Sequence, residues 1–76
     1  MEVWIIFREE WDPYAYAYNC SIQGVYDKEE KAYQVRSSLE EEGRKYYNSL
    51  SRFGKEEWDE LGYKLDTYRI EKHSVL

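Results

Sequence analysis

The chain has few of the residues that mark the commonest small-protein architectures. Its 76 residues include one Cys, one Pro, one Met and one His. A single Cys cannot form an internal disulfide, so the sequence predicts a protein of the reducing cytoplasm. The four Gly, at positions 24, 43, 54 and 62, are scattered and form no glycine-rich phosphate-binding loop.

The sequence also lacks a long apolar run and an excess of positive charge. The longest apolar run, Val3 to Phe7, is far shorter than the about 20 residues that span a bilayer. It has no basic flank or cleavage site typical of a signal peptide, so we expect no membrane contact. Because the net charge is −5 and phosphate backbones are bound mainly by Lys and Arg clusters, we expect no direct binding of nucleic acid.

Residues with catalytic or metal-binding potential are equally sparse. A Ser-His-acid set would depend on His73, in a segment, 73–76, that we expect to be loosely held. Cys20 has no His close in sequence and is predicted to be a small buried residue. Acidic clusters lie at 9–12, 40–42 and 56–60, without the spacing of a calcium loop, and are expected to be solvated. The sequence therefore predicts no enzyme, no cofactor and no metal.

Aromatic residues are abundant instead. Nine Tyr, three Trp and two Phe make up 18% of the chain, which excludes a disordered acidic tail. A chain of this length buries only about 60% of its unfolded surface. We therefore predict a single small domain over residues 1–76, with more aromatic surface than it can bury alone.

The pattern predicts two strands at the start of the chain. Residues 2–8 are apolar on both faces, as expected of a central strand. A charged loop at 9–13 follows, and residues 14–18 alternate Tyr and Ala. This alternation predicts a second strand that continues to Tyr26, with Tyr14, Tyr16 and Tyr18 on one face.

A helix and a third strand follow. Asp27 is a candidate N-cap for a helix over 28–53, either continuous or broken at Gly43; unbroken periodicity favours the continuous helix. Gly54 is predicted to be a left-handed C-cap, and residues 55–61 a short further helix. Residues 63–72 read as a strand that is two-sided or carries a bulge.

These elements predict an α+β fold, β-β-α-β, whose three-stranded antiparallel sheet has the order 2-1-3. The helix covers one sheet face, and we expect Trp4, Ile6 and the Tyr row on the other. At about 39 Å the helix exceeds the about 26 Å of a strand, so its end needs a cover. Either residues 55–61 or a second subunit of a homodimer would supply it. The residues that we predict to form the interaction surface are Trp4, Trp11, Tyr14, Tyr16, Tyr18, Tyr47, Glu56, Glu57 and Trp58.

Three segments carry a resemblance. They are VWIIF at 3–7, IQGVYDKEEKA at 22–32 and YKLDTYRI at 63–70. The chain resembles a group of small phage and mobile-element proteins with VYIVF-, GVFSSEEKA- and YYIEEYEV-like segments. The similarity covers residues 2–40 and 62–71, whereas 43–61 departs from that group's shorter form. The resemblance implies a phage or prophage origin, and with it the cytoplasm of a bacterial host cell, and a β-β-α-β fold, but no chemistry.

Three functions remain open from the sequence. The first is an acidic phage-type protein that binds, and thereby inhibits, a host defence or nucleic-acid-processing protein. The second is a dimeric module that sequesters a nucleotide-like small molecule between Tyr and Arg side chains. The third is a structural or assembly component of a phage particle.

Overall fold

The computed structural model describes residues 1–75. Its elements in chain order are β1 (Glu2–Asp12), β2 (Ala17–Tyr26), α1 (Glu29–Ser49), α2 (Arg52–Glu60) and β3 (Thr67–Ser74). β1 is central and pairs antiparallel with both other strands, which gives the order β2-β1-β3. The predicted α+β class, strand order and packing of a helix on the sheet are confirmed, and α2 is the predicted extra helix.

β1 is longer than predicted, and the hairpin turn is correspondingly later. The β1–β2 ladder continues from Glu9, opposite Cys20, to Asp12, opposite Ala17. The Asp12 carboxylate then accepts hydrogen bonds from the backbone N–H groups of Tyr14 (2.9 Å) and Ala15 (3.2 Å). This side-chain capping of the turn is a common role of Asp. The prediction that Tyr14 and Tyr16 lie in a strand is therefore wrong.

The helical segment is divided at Leu50 and not at Gly43. α1 runs unbroken through Gly43, as the periodicity favoured, and ends at Ser49. Leu50 is extended, and the Ser51 hydroxyl accepts the Gly54 N–H at 3.1 Å, which caps the start of α2. Gly54 thus lies inside a helix, and its predicted role as a left-handed cap is wrong. So is the predicted Asp27 cap, because Lys28 occupies the N-cap position without a side-chain hydrogen bond.

β3 begins and ends later than predicted. His73 pairs with Val3, and the Val75 N–H donates to the Met1 carbonyl at 2.7 Å, so residues 73–75 are not loosely held. Leu76 lies outside the described residues. The register of β3 is regular; the irregularity lies in β2, where Gln23 is the extra residue of a bulge.

The fully buried core is very small. Among the described residues only Ile6 and Ala32 have completely buried hydrophobic side chains. Ile6 lies between Gly24 and Ile70 in the sheet. The chain is thin, with Cα extents of 50 × 26 × 10 Å. Its Cα radius of gyration of 15.0 Å exceeds the about 11 Å of a compact chain of this length.

Candidate protein-binding surface

α1 covers one face of the sheet and leaves the other uncovered. Ile6 is fully buried, and Arg8, two residues on, lines a cleft with Leu39 and Gly43 of α1. Because side chains two apart in a strand share a face, these β1 residues point to the helix side. The intervening residues Val3, Ile5 and Phe7 therefore point to the other side, which we call the open face.

This orientation is the reverse of the predicted one. Trp4 and Ile6 were expected on the open face, but they lie on the helix side. Gly24 lies opposite Ile6 and carries no side chain, and the Tyr26 ring occupies the space above it on that side of the sheet. Trp4 is half-buried at its margin, and the Lys72 ammonium lies 5.9 Å from its ring centroid.

β2 contributes the most exposed part of the open face. Ile22 pairs with Phe7 and Val25 with Ile5, and paired residues share a face. Their side chains are 62% and 56% exposed. The bulge at Gln23 brings these two residues, of opposite parity in sequence, to the same side. We define the open apolar patch as the eight uncharged residues that β1 and β2 place on this face, Val3, Ile5, Phe7, Trp11, Tyr18, Cys20, Ile22 and Val25.

Charged residues border this patch along β3. The Arg69 guanidinium lies 3.5 Å from the Glu9 carboxylate, 2.8 Å from that of Glu71 and 5.0 Å from the Phe7 ring centroid. The His73 ring lies 3.2 Å from the Glu71 carboxylate. Both charge signs are present, so the border is close to neutral and the apolar residues lie on the β1–β2 side.

Cys20 lies within the open apolar patch. It pairs with Glu9, whose carboxylate meets Arg69 on the same face, and it is exposed. The prediction of a buried Cys20 is therefore wrong. It sits in an edge strand whose outward-facing row nothing in the described chain covers.

An aromatic cluster closes the hairpin end of the sheet. The rings of Trp11 and Tyr18 have centroids 4.9 Å apart, and Tyr16 meets Trp11 edge-on at 6.4 Å. The Lys64 ammonium lies 4.3 Å from the Trp11 centroid. Tyr14 is 78% exposed, and its hydroxyl raises the pKa of Tyr63 above its ordinary value. Three of the predicted interaction residues, Trp11, Tyr16 and Tyr18, thus come together, whereas Tyr14 meets Tyr63 instead. Only Trp11 and Tyr18 belong to strands.

A second aromatic cluster holds α2 against the end of α1. The Trp58 ring lies 6.0 Å from Tyr46, 5.9 Å from Tyr47 and 5.4 Å from Tyr63. Of the two covers that the sequence left open for the overhanging helix end, the short helix is the one present. Trp58 and Tyr47 are therefore partly used in internal packing.

The acidic residues of α2 lie on its exposed side. Glu56 and Glu57 are both exposed, and Glu56 pairs with Arg52 at 3.5 Å, one helical turn away. Such pairs are typical of solvated helices and contribute little to stability. Glu57 borders the second aromatic cluster, since it lines a pocket together with Tyr46, Trp58 and Tyr63.

A cleft of about 490 Å³ separates the end of α1 from the start of β3. At its base the Arg8 guanidinium donates from Nε (2.9 Å) and Nη2 (2.5 Å) to one Asp66 oxygen, which raises the pKa of Arg8. Partial burial raises the pKa of the Tyr68 phenol there. Arg8 is engaged by Asp66, and the carboxylates of Glu40 and Glu42 line the cleft together with the cations of Arg44 and Lys64. The cleft is therefore close to neutral and is a poor match for a phosphate.

Residues 1–75 hold neither a metal-binding cluster nor a membrane-spanning helix. No group of three or more His, Cys, Asp or Glu side chains in this range could hold a metal ion. Neither helix described here has the length and apolarity needed to cross a membrane.

Sequence reasoning missed most of the open apolar patch. Of its members only Trp11 and Tyr18 were among the predicted interaction residues. The available signal was the change of apolar parity between Ile22 and Val25, next to Gly24, which is typical of a bulge. Comparison of the chain with protein-family models, curated proteins and solved structures finds no match.

Proposed function

We propose that this chain is a protein-binding module that acts by docking and not by catalysis. The observation that carries the proposal is the open apolar patch, an exposed apolar surface that only Glu9 interrupts, on a chain of net charge −5. Contiguous apolar patches of this kind mark interaction sites on small proteins.

The exposed area supports the proposal quantitatively. The chain exposes 5891 Å², whereas a folded monomer of its mass exposes about 5,000 Å² on average. The excess of about 900 Å² is close to the about 800 Å² that one partner contributes to a standard protein–protein interface. A bound protein would therefore restore an ordinary ratio of surface to mass.

The shape of the patch favours a protein over a small molecule. Small ligands are held in concave pockets that bury most of their surface. The patch instead follows one side of a sheet and ends in Trp11 and Tyr18, residue types that give large contact areas at low entropic cost. The nucleotide-like ligand would have to use the cleft beside Arg8, where that side chain already binds Asp66.

We extend the proposal to the class of target. The resemblance to phage proteins points to a host protein, such as a defence or nucleic-acid-processing factor, that is occupied or inhibited by binding. The exposed acids of α2, represented by Glu57, supply a negatively charged surface for a basic site on that target.

Affinity capture from a bacterial lysate tests the function. Wild-type protein, Ile22→Lys, Glu57→Lys and Phe53→Lys are immobilised in parallel. Phe53 is 81% exposed on α2 and serves as the matched control for a lysine placed on an exposed apolar residue away from the patch. We expect a captured protein whose binding, then measured with purified components, is lost with Ile22→Lys or Glu57→Lys and retained with Phe53→Lys.

Two outcomes would contradict the proposal. One is that every captured protein binds all four forms equally. The other is that the chain turns over a substrate, or that a nucleotide produces a large thermal shift that Arg8→Ala removes.

A further inference from the structure

We infer that the occupant of the open apolar patch is a second copy of this chain, packed face to face across a two-fold axis. This inference rests on the proposed function and names the partner for that site. The open apolar patch is a different surface from the exposed side of α2, so a dimer formed through the patch would still expose its acidic helices to another protein.

Charge is the first argument for a second copy. Two chains of net charge −5 repel unless they meet where neither carries charge. β2 is the only one of the described helices and strands with no Asp, Glu, Lys or Arg, and the patch adds only uncharged residues of β1 to it. Self-association through the patch therefore brings only one acidic side chain of each copy, Glu9, into the contact.

The neighbouring charges fit the same arrangement. Glu9 is the one acidic residue in the outward row of β1, and Arg69 lies 3.5 Å from its carboxylate. Arg69 and Glu71 lie on the β3 side, away from the Ile22 edge. When two patches are stacked, Arg69 and Glu71 lie toward the rim, where polar groups are found in stable interfaces. Glu9, on the central strand between Phe7 and Trp11, lies inside the contact with Arg69 as its partner.

Area and packing supply the second argument. The excess exposure of about 900 Å² per chain is what each subunit of a standard interface would cover. Two sheets stack about 10 Å apart through interdigitating side chains. Stacking would enclose Ile5, Phe7 and Ile22 of both copies in a second core, beside the small one around Ile6. An isologous pairing of this kind is the commonest form of oligomer.

Sedimentation equilibrium tests the inference on the purified chain. We expect a mass twice the 9.3 kDa of one chain at high concentration. Ile22→Lys places an ammonium group in the interface and should raise the dimer dissociation constant by about tenfold or more. Phe53→Lys should leave it unchanged. Circular dichroism of Ile22→Lys checks that the variant keeps its fold, as expected for a residue 62% exposed.

Cys20 provides a second measurement that locates the interface. It is the only thiol, and it lies in the patch. Its reaction with a bulky maleimide should slow as the wild-type concentration rises, and should stay fast in Ile22→Lys.

The outcomes separate this inference from the proposed function. A chain that stays monomeric, or a dimer that survives Ile22→Lys with Cys20 fully reactive, overturns the second-copy inference. If the monomeric chain still captures another protein in an Ile22-dependent manner, the proposed function stands without the dimer. If capture is also indifferent to Ile22→Lys and Glu57→Lys, both fail.

Discussion

Two neighbouring isoleucines test which side of the sheet is the inner one. Ile6 is fully buried on the helix side, whereas Ile5 is only partly buried on the open face. Removing one methyl group from a buried Ile typically costs about 0.5–1.5 kcal/mol. Ile6→Val should cost about 1 kcal/mol, and Ile5→Val less than half of that. Valine is preferred over alanine because Ile6→Ala would lower the free energy of unfolding by about 2–5 kcal/mol. The total expected for a chain of this length is only about 4–11 kcal/mol.

Urea denaturation followed by circular dichroism measures the difference. For a small chain with an m-value of about 1 kcal/mol/M, Ile6→Val should lower the midpoint by about 1 M. The experiment is done at low protein concentration, where self-association contributes least. A cost of Ile5→Val equal to or greater than that of Ile6→Val would refute the assigned orientation of the sheet. A cost of Ile5→Val that grows with protein concentration would agree with a dimer through the open face.

Three further predictions concern the helix side of the molecule. Gly24→Ala should destabilise the chain by about 0.5–1.5 kcal/mol, because the new Cβ would lie 2.6 Å from the Tyr26 hydroxyl and the Tyr26 ring would have to turn away from its rotamer. In a Tyr26→Ala background the same change should cost close to nothing, and an undiminished cost in this double-mutant cycle would contradict that cause. Gly43→Ala should stabilise the folded chain by about 0.5–1 kcal/mol, measured by thermal unfolding, because Gly43 lies inside α1 and the new Cβ would meet only the Leu65 side chain, at 3.8 Å. Destabilisation would mean that α1 and Leu65 leave no room for the added methyl group. Folding raises the pKa of Tyr68, so the neutral phenol contributes fully to the stability of the folded state below pH about 10. This contribution is lost as the pH rises through the pKa of Tyr68 in the folded state. The free energy of unfolding should therefore fall more steeply above pH about 10 in the wild type than in Tyr68→Phe, and equal slopes would argue against partial burial of that hydroxyl.

The order of elements could be predicted because strong local patterns agreed with one topology. The doubly apolar strand at the start of the chain required a central position, and the unbroken helical phase through Gly43 required one continuous α1. Both hold in the structure. The ends of the helices and strands were predicted less accurately, since they depend on single hydrogen bonds. The Ser51 cap and the Asp12 turn each moved a boundary by several residues.

Composition alone could not predict which face of the sheet packs against α1. Both rows of β1 are apolar, so the row that meets α1 is decided by the partner strands, where Gly24 lies opposite Ile6. The Tyr and Ala alternation at 14–18 was misleading for a similar reason. A two-residue period is also compatible with a turn, and the Asp12 carboxylate binds the N–H groups that a strand would have used. The open apolar patch is located by the pairing register of β1 and β2, and the aromatic content of the chain did not predict it.

The position of β1 between β2 and β3 has a consequence for the order of folding. β2 follows β1 directly and can pair with it as a local hairpin, whereas β3 pairs Ile70 with Ile6 across nearly the whole described chain. Such long-range pairing is slow, because the loop entropy is lost before the contact is gained. Until β3 arrives, an emerging chain has β1 with one unpaired edge and an apolar face beside it, both of which favour aggregation. Translation rate and chaperone supply should therefore limit the yield of this protein more than the stability of its folded state does.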